Sequence, residues 1–232
     1  MSIYPISLDV EDYVLLQDSD DYAFSQDSVF LANLAKIGKN DAVLDLGCGN
    51  GVLATLALCK KNAKCATGIE IQRDVANLAI ESAKLNKLDD KLTIINDDVR
   101  NIRNLVGAES FDVVLCNPPY FCGAQDSKKA ISRSESVATL EDFVKATSFA
   151  LHFGGDCYFV IKVDRLTQIV TALSNNNLEP KDLTLVYPKL SSGVDIVIVK
   201  ARKGGKVGLK THTFIVMDEM GNYTDQYKEI YG

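Results

Sequence analysis

The sequence predicts an α/β protein built around a mostly parallel sheet. From Asp41 onward, short runs of β-forming apolar residues alternate with runs of helical periodicity, which is the pattern of strands joined by right-handed helical crossovers. A glycine-rich turn at residues 47–51 follows the first of these strands and opens a helix. Near the end, two apolar runs are joined only by a short segment around Gly193, so these two strands are predicted to be antiparallel.

The individual elements are predicted in the following order. The first 22 residues are acidic and weakly patterned, with one short strand at residues 13–16. Apolar residues at helical spacing predict a helix over residues 28–37, capped by Ser25 or Asp27 and ended by Gly38. The predicted strands that follow are 42–46, 64–71, 92–95, 111–116, 157–163, 183–187, 194–201 and 213–217. The predicted helices are 51–60, 73–86, 140–152 and 166–174, the third ended by Gly154 and Gly155.

Length and composition favour one large domain. With 232 residues, 47% of them hydrophobic, the chain can form a single core, and we expect an N-terminal extension with a cap helix (residues 1–40) before the main unit (residues 41–232). The N-terminus lacks a basic segment followed by an apolar one, and no apolar run approaches the length of a membrane span. A cytoplasmic protein without a membrane partner is therefore expected. Six cysteines without a C-x-x-C pair, with only two histidines, predict no metal site and no disulfide framework.

The net charge of −6 is unevenly distributed along the chain. Residues 1–30 carry seven acidic residues and no Lys or Arg, whereas residues 181–212 carry seven cations against two acids. The net negative charge of the whole chain argues against indiscriminate nucleic-acid binding. The basic segment fits either a solvated face or a surface that binds phosphate groups.

The turn after the first core strand has the composition of a nucleotide-binding loop. Asp45, Gly47, Gly49 and Gly51 lie in the run D-L-G-C-G-N-G, where glycine allows a tight turn and a close approach of the backbone to a ligand. Val52 stands where the dinucleotide-binding pattern has its third glycine, which weakens an NAD interpretation. A tight turn without a ligand is the alternative.

Acidic residues end the next two strands of the predicted sheet. Glu70 follows the glycine turn at the spacing where a carboxylate accepts both hydroxyls of a ribose, and a solvent-facing strand end is the alternative. Asp98 is placed to reach the amine of an adenine, with Asp97 as a near-equal candidate, and either of them alternatively caps the short helix that follows. The predicted ligand site also includes Ile71 and Val99, the next residues along the chain.

The fourth core strand ends in the tetrapeptide Asn117, Pro118, Pro119 and Tyr120. Neither proline can extend a ladder of backbone hydrogen bonds, so the strand stops abruptly and the residues after it form a rigid rim. The rim offers an amide that both donates and accepts, a carbonyl of fixed direction and an aromatic face. Such a set of groups suits a flat substrate group that carries an amine.

In this order and on these strand ends, the motifs resemble those of class I S-adenosylmethionine-dependent methyltransferases that act on amino groups. The resemblance covers nearly the whole chain and implies a Rossmann-like fold: a seven-stranded, mostly parallel sheet with an antiparallel last strand and helices on both faces. It implies S-adenosylmethionine as cofactor, in contact with Asp45, Gly47, Gly49, Gly51, Glu70, Ile71, Asp98 and Val99. Gln26 and Asp27 are expected to cover the methionine end of this cofactor, with an N-terminal helix cap as the alternative role.

A narrower resemblance is to the bacterial tRNA(Val) adenine methyltransferases. It rests on residues 24–35, on the tetrapeptide followed by Phe121, on Arg133 with Glu135, and on residues 217–224. It implies methylation of the exocyclic amine of the purine next to the anticodon, within a single-stranded tRNA loop. A monomer or weak dimer is expected. Ser134 is a departure, since a histidine is expected at this position in that subfamily.

The implied chemistry concerns an adenine amine, which is a poor nucleophile because its lone pair is delocalised into the ring. We expect the side-chain oxygen of Asn117 and the carbonyl of Pro118 to accept the two amine hydrogens, while Tyr120 stacks on the base. No strong base is needed, because the proton can leave to water after the methyl group has moved. The cations expected to contact RNA phosphates are Lys128, Arg133, Arg202, Lys203 and Lys206.

Other functions are compatible with the same residues. Methyltransferases that modify a glutamine side chain in release factors use the same tetrapeptide, but they usually carry an extra N-terminal helical domain, and here fewer than 45 residues precede the first core strand. Adenine in DNA ranks lower because no appended recognition domain is apparent. A noncatalytic cofactor-binding or RNA-binding module and an NAD-linked oxidoreductase are the alternatives from other classes.

Overall fold

The computed structural model describes residues 3–8, 13–18, 25–119 and 138–231 of the chain. The strands in these ranges are β1 (Ile3–Ser7), β2 (Val14–Asp18), β3 (Ala42–Leu46), β4 (Cys65–Glu70), β5 (Leu92–Asn96), β6 (Phe111–Cys116), β7 (Leu151–Lys162), β8 (Leu178–Lys189), β9 (Ile196–Lys203) and β10 (Lys210–Met217). The helices are α1 (Gln26–Leu34), α2 (Val52–Cys59), α3 (Arg73–Leu85), α4 (Ile102–Leu105), α5 (Leu140–Ala150), α6 (Leu166–Asn175) and α7 (Asp225–Tyr231). None of these helices is both long and apolar enough to cross a membrane.

The main sheet contains eight strands in the order β10-β8-β9-β7-β6-β3-β4-β5. Neighbouring strands are parallel except that β9 is antiparallel to both β7 and β8. The predicted mostly parallel α/β fold is confirmed, and β9 is the antiparallel strand. The sheet has one strand more than the seven expected, because β10 pairs in parallel with the outer edge of β8.

Helices cover both faces of the sheet, and each face has its own apolar core. Successive residues of β6 enter opposite cores: Val113 and Leu115 pack with α1 and α2, whereas Val114 and Cys116 pack with α5 and α6. This alternation follows from the two-residue period of a strand. Because both faces are buried, β6 is a nearly continuous apolar run, as expected of a central parallel strand.

The junction between α5 and β7 differs from the prediction. The helix passes directly into the strand, so Gly154 and Gly155 lie inside β7 instead of ending α5. At this level the register between β6 and β7 shifts between Phe111 and Val113. Gly154 has a φ of +85°, and a Cβ on Gly155 would lie 2.9 Å from the carbonyl oxygen of Asp112. The two glycines therefore permit an irregular strand rather than a helix end.

The N-terminal strands β1 and β2 form an antiparallel hairpin separate from the main sheet. The hairpin packs on α3, where the Asn86 side chain accepts the N–H of Val14 at 3.0 Å and donates to its carbonyl at 2.6 Å. The Ser82 hydroxyl accepts the N–H of Leu16 at 2.9 Å. Helix side chains thus satisfy the outer edge of β2. The predicted strand at residues 13–16 falls largely within β2, whereas β1 was not predicted.

Candidate active site

The glycine turn lies between β3 and α2, at the carboxyl edge of the sheet. Gly47, Gly49 and Gly51 have φ values of +72°, +56° and +86°, a region that glycine adopts without strain. The N–H groups of Gly47 and Cys48 donate to the carbonyl of Ile69 in β4, at 2.9 and 3.0 Å. The glycines are therefore required by the backbone conformation, and the turn is fixed against the neighbouring strand.

Glu70 ends β4, and its carboxylate is bonded to the glycine turn. One oxygen accepts the N–H of Gly49 at 3.0 Å, and the other accepts the N–H of Gln72 at 2.8 Å. The residue is only 4% exposed, which rules out the solvent-facing alternative. Each carboxylate oxygen has two acceptor positions, so each keeps one after these bonds are made. The predicted ribose-binding group is thus held rigidly and can still accept hydrogen bonds.

Asp45 is a fully buried carboxyl group beneath the turn. Its Oδ2 accepts the N–H of Ala54 at 3.2 Å, and its Oδ1 has no hydrogen-bond partner among the described residues. Burial raises the pKa of Asp45 from 3.8 to about 8; the charge of Glu70 adds to the rise, and the bond from Ala54 opposes it. At neutral pH this group is therefore mostly protonated, and its visible contact is with the first turn of α2.

We expect Asp45→Asn to reduce the pH dependence of stability between about pH 4 and pH 8. The folded protein holds the Asp45 proton up to about pH 8, whereas the unfolded chain releases it near pH 3.8. The contribution of this group to the free energy of unfolding is therefore full below about pH 4 and is lost as the pH rises to about 8. Asn retains an acceptor for Ala54 but does not ionise. Urea unfolding at several pH values measures this, with Asp89→Asn at an exposed position as the control. The prediction is contradicted if the free energy of unfolding of Asp45→Asn falls with pH as steeply as that of the wild type.

The structure assigns the predicted helix cap after β5 to Asp98. Its carboxylate accepts the N–H of Arg100 at 2.8 Å and so caps the 3-10 turn Val99–Asn101. The Nε of Arg100 also lies 3.0 and 2.9 Å from its two oxygens, and this bonding holds the pKa of Asp98 below its usual range. Asp97 accepts from the N–H of Asp98 and from Asn101. An adenine amine that binds Asp98 therefore has to share its carboxylate with Arg100.

The two apolar residues of the predicted cofactor site differ in exposure. Ile71 is 51% exposed and leaves an apolar surface next to Glu70, whereas Val99 is buried in the core. The Nδ2 of Asn96 donates to the carbonyls of Glu70 and Ile71, at 2.8 and 3.0 Å. Asn96 was not among the residues predicted from the sequence, although it is a polar residue at a strand end. It ties the ends of β4 and β5 together at this edge.

Asn117 lies at the end of β6, and two serines near the start of α1 orient its amide. Its Nδ2 donates to the hydroxyl of Ser25 at 3.0 Å and to that of Ser28 at 2.9 Å, which uses both amide hydrogens. Its Oδ1 is buried and has no hydrogen-bond partner among the described residues. A buried acceptor without a donor destabilises a protein by about 1–3 kcal/mol. The orientation of this amide therefore favours a ligand that donates a hydrogen bond to the oxygen.

Ser25 and Ser28 were not predicted to act at this site. Ser25 was a candidate helix cap, and it does occupy the N-cap position of α1, but its side chain makes no capping bond. The three-residue spacing places both hydroxyls on one side of the helix start. That spacing was visible in the sequence, whereas the partner is about 90 residues away.

The structure also describes two further rim residues, Pro118 and Pro119, and the two residues predicted to cover the cofactor. Pro118 is buried and Pro119 is exposed. The Nε2 of Gln26 donates to the hydroxyl of Tyr227 in α7 at 3.1 Å, so this amide is engaged with the C-terminal helix. Asp27 is partly buried in the first turn of α1. A cofactor contact from Gln26 or Asp27 stays a prediction.

A family model for the methyltransferase small domain matches residues 24–175, more than half of the chain. The chain belongs to the methyltransferase small domain family. The matched range contains the glycine turn, Glu70 and Asn117. The predicted enzyme class is therefore confirmed.

Named relatives resemble this methyltransferase over different shares of its length. A tRNA1(Val) (adenine(37)-N6)-methyltransferase of Cytophaga hutchinsonii is 22% identical over 222 residues, which cover 94% of this chain and 92% of the relative. A protein of Methanocaldococcus jannaschii, provisionally named a protein N5-glutamine methyltransferase, is 34% identical over 122 residues, which cover 52% of this chain and 58% of that protein. The first relative matches the longer part of the chain, and the second is more similar within a shorter part.

Solved structures share the fold of the methyltransferase. A predicted O-methyltransferase from Agrobacterium tumefaciens has a TM-score of 0.73 at 20% identity, covering 89% of this chain and 95% of that one. Geranyl diphosphate C-methyltransferase from Streptomyces coelicolor A3(2) was solved with Mg²⁺, geranyl diphosphate and S-adenosyl-L-homocysteine. It has a TM-score of 0.56 at 14% identity, and the match covers 76% of this chain and 79% of that one. At these identities the likeness concerns the fold alone.

The structure does not bring the predicted RNA-binding cations of β9 to the edge that holds Asn117. Because β9 is antiparallel, its last residues lie at the amino edge of the parallel strands. Arg202 pairs in register with Asp156 of β7, which is level with Val113 of β6 and Val43 near the start of β3. Arg202 also binds the Asp156 carboxylate through Nε at 2.7 Å and through its terminal nitrogen at 2.8 Å. A contact of Arg202 with RNA phosphates stays a prediction, and it concerns the edge opposite Asn117.

Lys203 and Lys206 share this location. The Lys203 ammonium is 3.0 Å from the carboxylate of Glu109 and donates to the carbonyls of Ser148 and Leu151, at 2.6 and 2.8 Å. Lys203 is only 9% exposed and its ammonium makes these three bonds, and a contact with RNA phosphates stays a prediction for it. Lys206 is exposed just after β9, again at the amino edge. Its contact with RNA phosphates likewise stays a prediction.

Three other predicted residues, Tyr120, Lys128 and Arg133, lie outside the described residues. Within the described ranges there is no group of three or more His, Cys, Asp or Glu side chains arranged to hold a metal ion. The five cysteines of those ranges, Cys48, Cys59, Cys65, Cys116 and Cys157, are free thiols.

Proposed function

We propose that this protein transfers a methyl group from S-adenosylmethionine to the exocyclic amine of an adenine in tRNA, at the position next to the anticodon of tRNA(Val). The observation that carries the proposal is the orientation of the Asn117 amide. Both of its hydrogens are held by serine hydroxyls, and its buried oxygen is left to accept from a substrate amine. A substrate that donates here replaces the hydrogen bond that the oxygen lacks.

The residues at the carboxyl edge fit S-adenosylmethionine. The glycine turn has no side chains at three positions of positive φ, and Gly47 is partly exposed among these three. Glu70 keeps acceptor positions for two ribose hydroxyls, and Ile71 offers an exposed apolar surface beside it. When bound, this cofactor supplies an electrophilic methyl group on a sulfonium. The chain has to bind it, hold the acceptor amine in line with it and exclude water.

Asn117 and Pro118 prepare the amine for attack. The Oδ1 of Asn117 accepts one amine hydrogen and the Pro118 carbonyl accepts the other, so the nitrogen is held between two fixed acceptors. The lone pair is then directed out of the plane of the base and away from conjugation with the ring. The nitrogen becomes positively charged as the methyl group arrives, and both acceptor oxygens stabilise that charge. The proton leaves to water afterwards, so no side chain has to act as a strong base.

The proposed substrate is supported by the name of a relative that spans nearly the whole chain, the tRNA1(Val) (adenine(37)-N6)-methyltransferase of Cytophaga hutchinsonii. A protein glutamine amide is the second candidate, favoured by the similarity to the Methanocaldococcus jannaschii protein over about half of the chain. That amide also carries two hydrogens on a planar nitrogen, and the same two oxygens can accept them. An adenine in DNA is a third candidate.

Incubation with methyl-labelled S-adenosylmethionine tests the substrate. The protein is offered total tRNA, total cell protein and DNA in separate reactions, and the labelled tRNA is digested to nucleosides. We expect N6-methyladenosine in tRNA, and its loss when the adenine next to the anticodon of transcribed tRNA(Val) is replaced by guanine. Label on protein or DNA, with none on tRNA, would overturn the proposed substrate.

A further inference from the structure

A column of four aromatic rings runs from the core to the surface next to α1. Phe214 and Phe30 are buried, with ring centroids 5.5 Å apart. The ring of Tyr227 meets Phe30 edge-on at 6.2 Å, and the ring of Tyr223 stacks on Tyr227 at 4.2 Å with only 7° between the planes. Tyr223 is the outermost of the four and is 46% exposed. The column therefore ends in a stacked tyrosine pair at the surface.

This tyrosine pair lies beside the proposed methyl-transfer site. The hydroxyl of Tyr227 accepts from the side chain of Gln26 at 3.1 Å. Gln26 directly follows Ser25, whose hydroxyl accepts from the Asn117 amide at 3.0 Å. The first turn of α1 thus joins the tyrosine pair to the residue that is proposed to bind the target amine.

The outer tyrosine is held in place by its own turn. Tyr223 forms an antiparallel bridge with Met217 at the end of β10. The turn between them is closed by Asp218, whose carboxylate accepts the N–H of Asn222 at 2.9 Å. A ring on such a braced turn loses little freedom when a ligand stacks on it, which favours binding.

We propose that the Tyr223–Tyr227 pair stacks an unpaired base of the RNA substrate, next in the chain to the adenine that is methylated. This inference rests on the proposed tRNA function. Extrusion of the target adenine separates it from its neighbour, which leaves one face of the neighbouring base without a stacking partner. An exposed aromatic ring is the partner that proteins commonly offer to such bases, and it accepts any base because each has a π face.

The charges around the pair indicate that ring contact, not charge, supplies the affinity. Asp218, Glu219, Asp225 and Glu229 lie near the pair in the sequence, against two cations: Lys228, which follows Tyr227, and Lys189, near Gly221. Phosphate groups therefore find no excess of positive charge here. The effect of removing the ring is accordingly expected to be similar at low and high salt, unlike the loss of a phosphate contact.

Tyr223→Ala tests the inference on a transcribed tRNA(Val) anticodon stem-loop. We expect its KM for RNA to rise about 10- to 100-fold, the range of one lost base–aromatic stack, with kcat and the Kd of S-adenosylmethionine close to wild type. Tyr223→Phe keeps the ring and is expected to preserve the KM. Phe153→Ala removes an aromatic residue that is 71% exposed near the start of β7, at the amino edge, and serves as the control.

A substrate with an abasic nucleotide on either side of the target adenine identifies the stacked base. The wild type is expected to lose affinity for one of the two abasic substrates, and Tyr223→Ala to bind that substrate no worse than the intact one. If the wild type methylates tRNA and Tyr223→Ala has the same KM for RNA as the wild type, the stacking inference is overturned and the proposed function stands. If the wild type methylates no RNA, both are overturned. Thermal unfolding of each variant checks that the fold is intact.

Discussion

Asn117→Ala is expected to lower kcat for methyl transfer by about 100- to 1000-fold, which is the usual effect of removing one group that stabilises developing charge. Without the Asn117 oxygen, the amine is held by the Pro118 carbonyl alone, and its lone pair is no longer fixed in line with the methyl group. Most of the predicted cofactor contacts, on the glycine turn, at Glu70 and at Asp98, lie on other strand ends, which the substitution does not touch. The affinity for S-adenosylmethionine is therefore expected to stay close to that of the wild type. Single-turnover kinetics on tRNA and titration calorimetry with the cofactor measure the two quantities separately.

The control for this variant is Asn175→Ala, which removes an exposed asparagine at the end of α6 and is expected to keep the wild-type rate. Asn117→Asp is more informative, because it keeps an acceptor oxygen but removes the two hydrogens that Ser25 and Ser28 accept. The serine hydroxyls then have to donate to the oxygen that replaces Nδ2, and a charged group replaces the neutral amide at this partly buried position. An intermediate rate is expected. If Asn117→Ala methylates at the wild-type rate, the protein does not use this oxygen, and a noncatalytic role for the rim is favoured.

The fold was predictable where periodicity is strong and local. The alternation of strands and helices from residue 41 onward, and the antiparallel pairing of β8 with β9, both follow from patterns within short windows. The hairpin of β1 and β2 was mostly missed because its stability depends on distant partners. Asn86 and Ser82 bond to the backbone of β2 from 72 and 66 residues away, and an acidic, weakly patterned segment gives no sign of them.

The candidate site was predictable up to the positions of its strand ends. Carboxyl ends of parallel strands meet at one edge, so the glycine turn, Glu70 and Asn117 could be placed together from the sequence alone. The hydrogen-bond partners of these residues could not be predicted from the sequence. Nothing near Asn117 in the chain indicates that Ser25 and Ser28 hold its amide. The carboxylate that binds Arg202, Asp156 of β7, is likewise distant in the chain.

Glu70→Gln is expected to weaken the binding of S-adenosylmethionine by about 10- to 100-fold, as when a hydrogen bond to a charged group is lost. Four donors converge on this side chain when the cofactor binds: the N–H groups of Gly49 and Gln72, and the two ribose hydroxyls. A carboxylate has four acceptor positions for them, whereas a glutamine amide has one acceptor oxygen and an NH₂ group that meets two donors. Titration calorimetry with S-adenosylmethionine measures the loss, and exposed Glu81→Gln on α3 controls for the change of charge.

The loss in Glu70→Gln has two possible origins, because the substitution also leaves a backbone N–H of the glycine turn without its acceptor. A cofactor analogue that lacks both ribose hydroxyls separates them. If Glu70 binds the ribose, the wild type loses affinity for the analogue and Glu70→Gln binds the analogue and the natural cofactor about equally, since the two changes remove the same interaction. If Glu70 only supports the turn, the loss of affinity caused by the substitution and the loss caused by the missing hydroxyls add up. The same titration with NAD tests the remaining alternative. Tight binding of NAD by the wild type, without any binding of S-adenosylmethionine, would overturn the proposed methyl-transfer function.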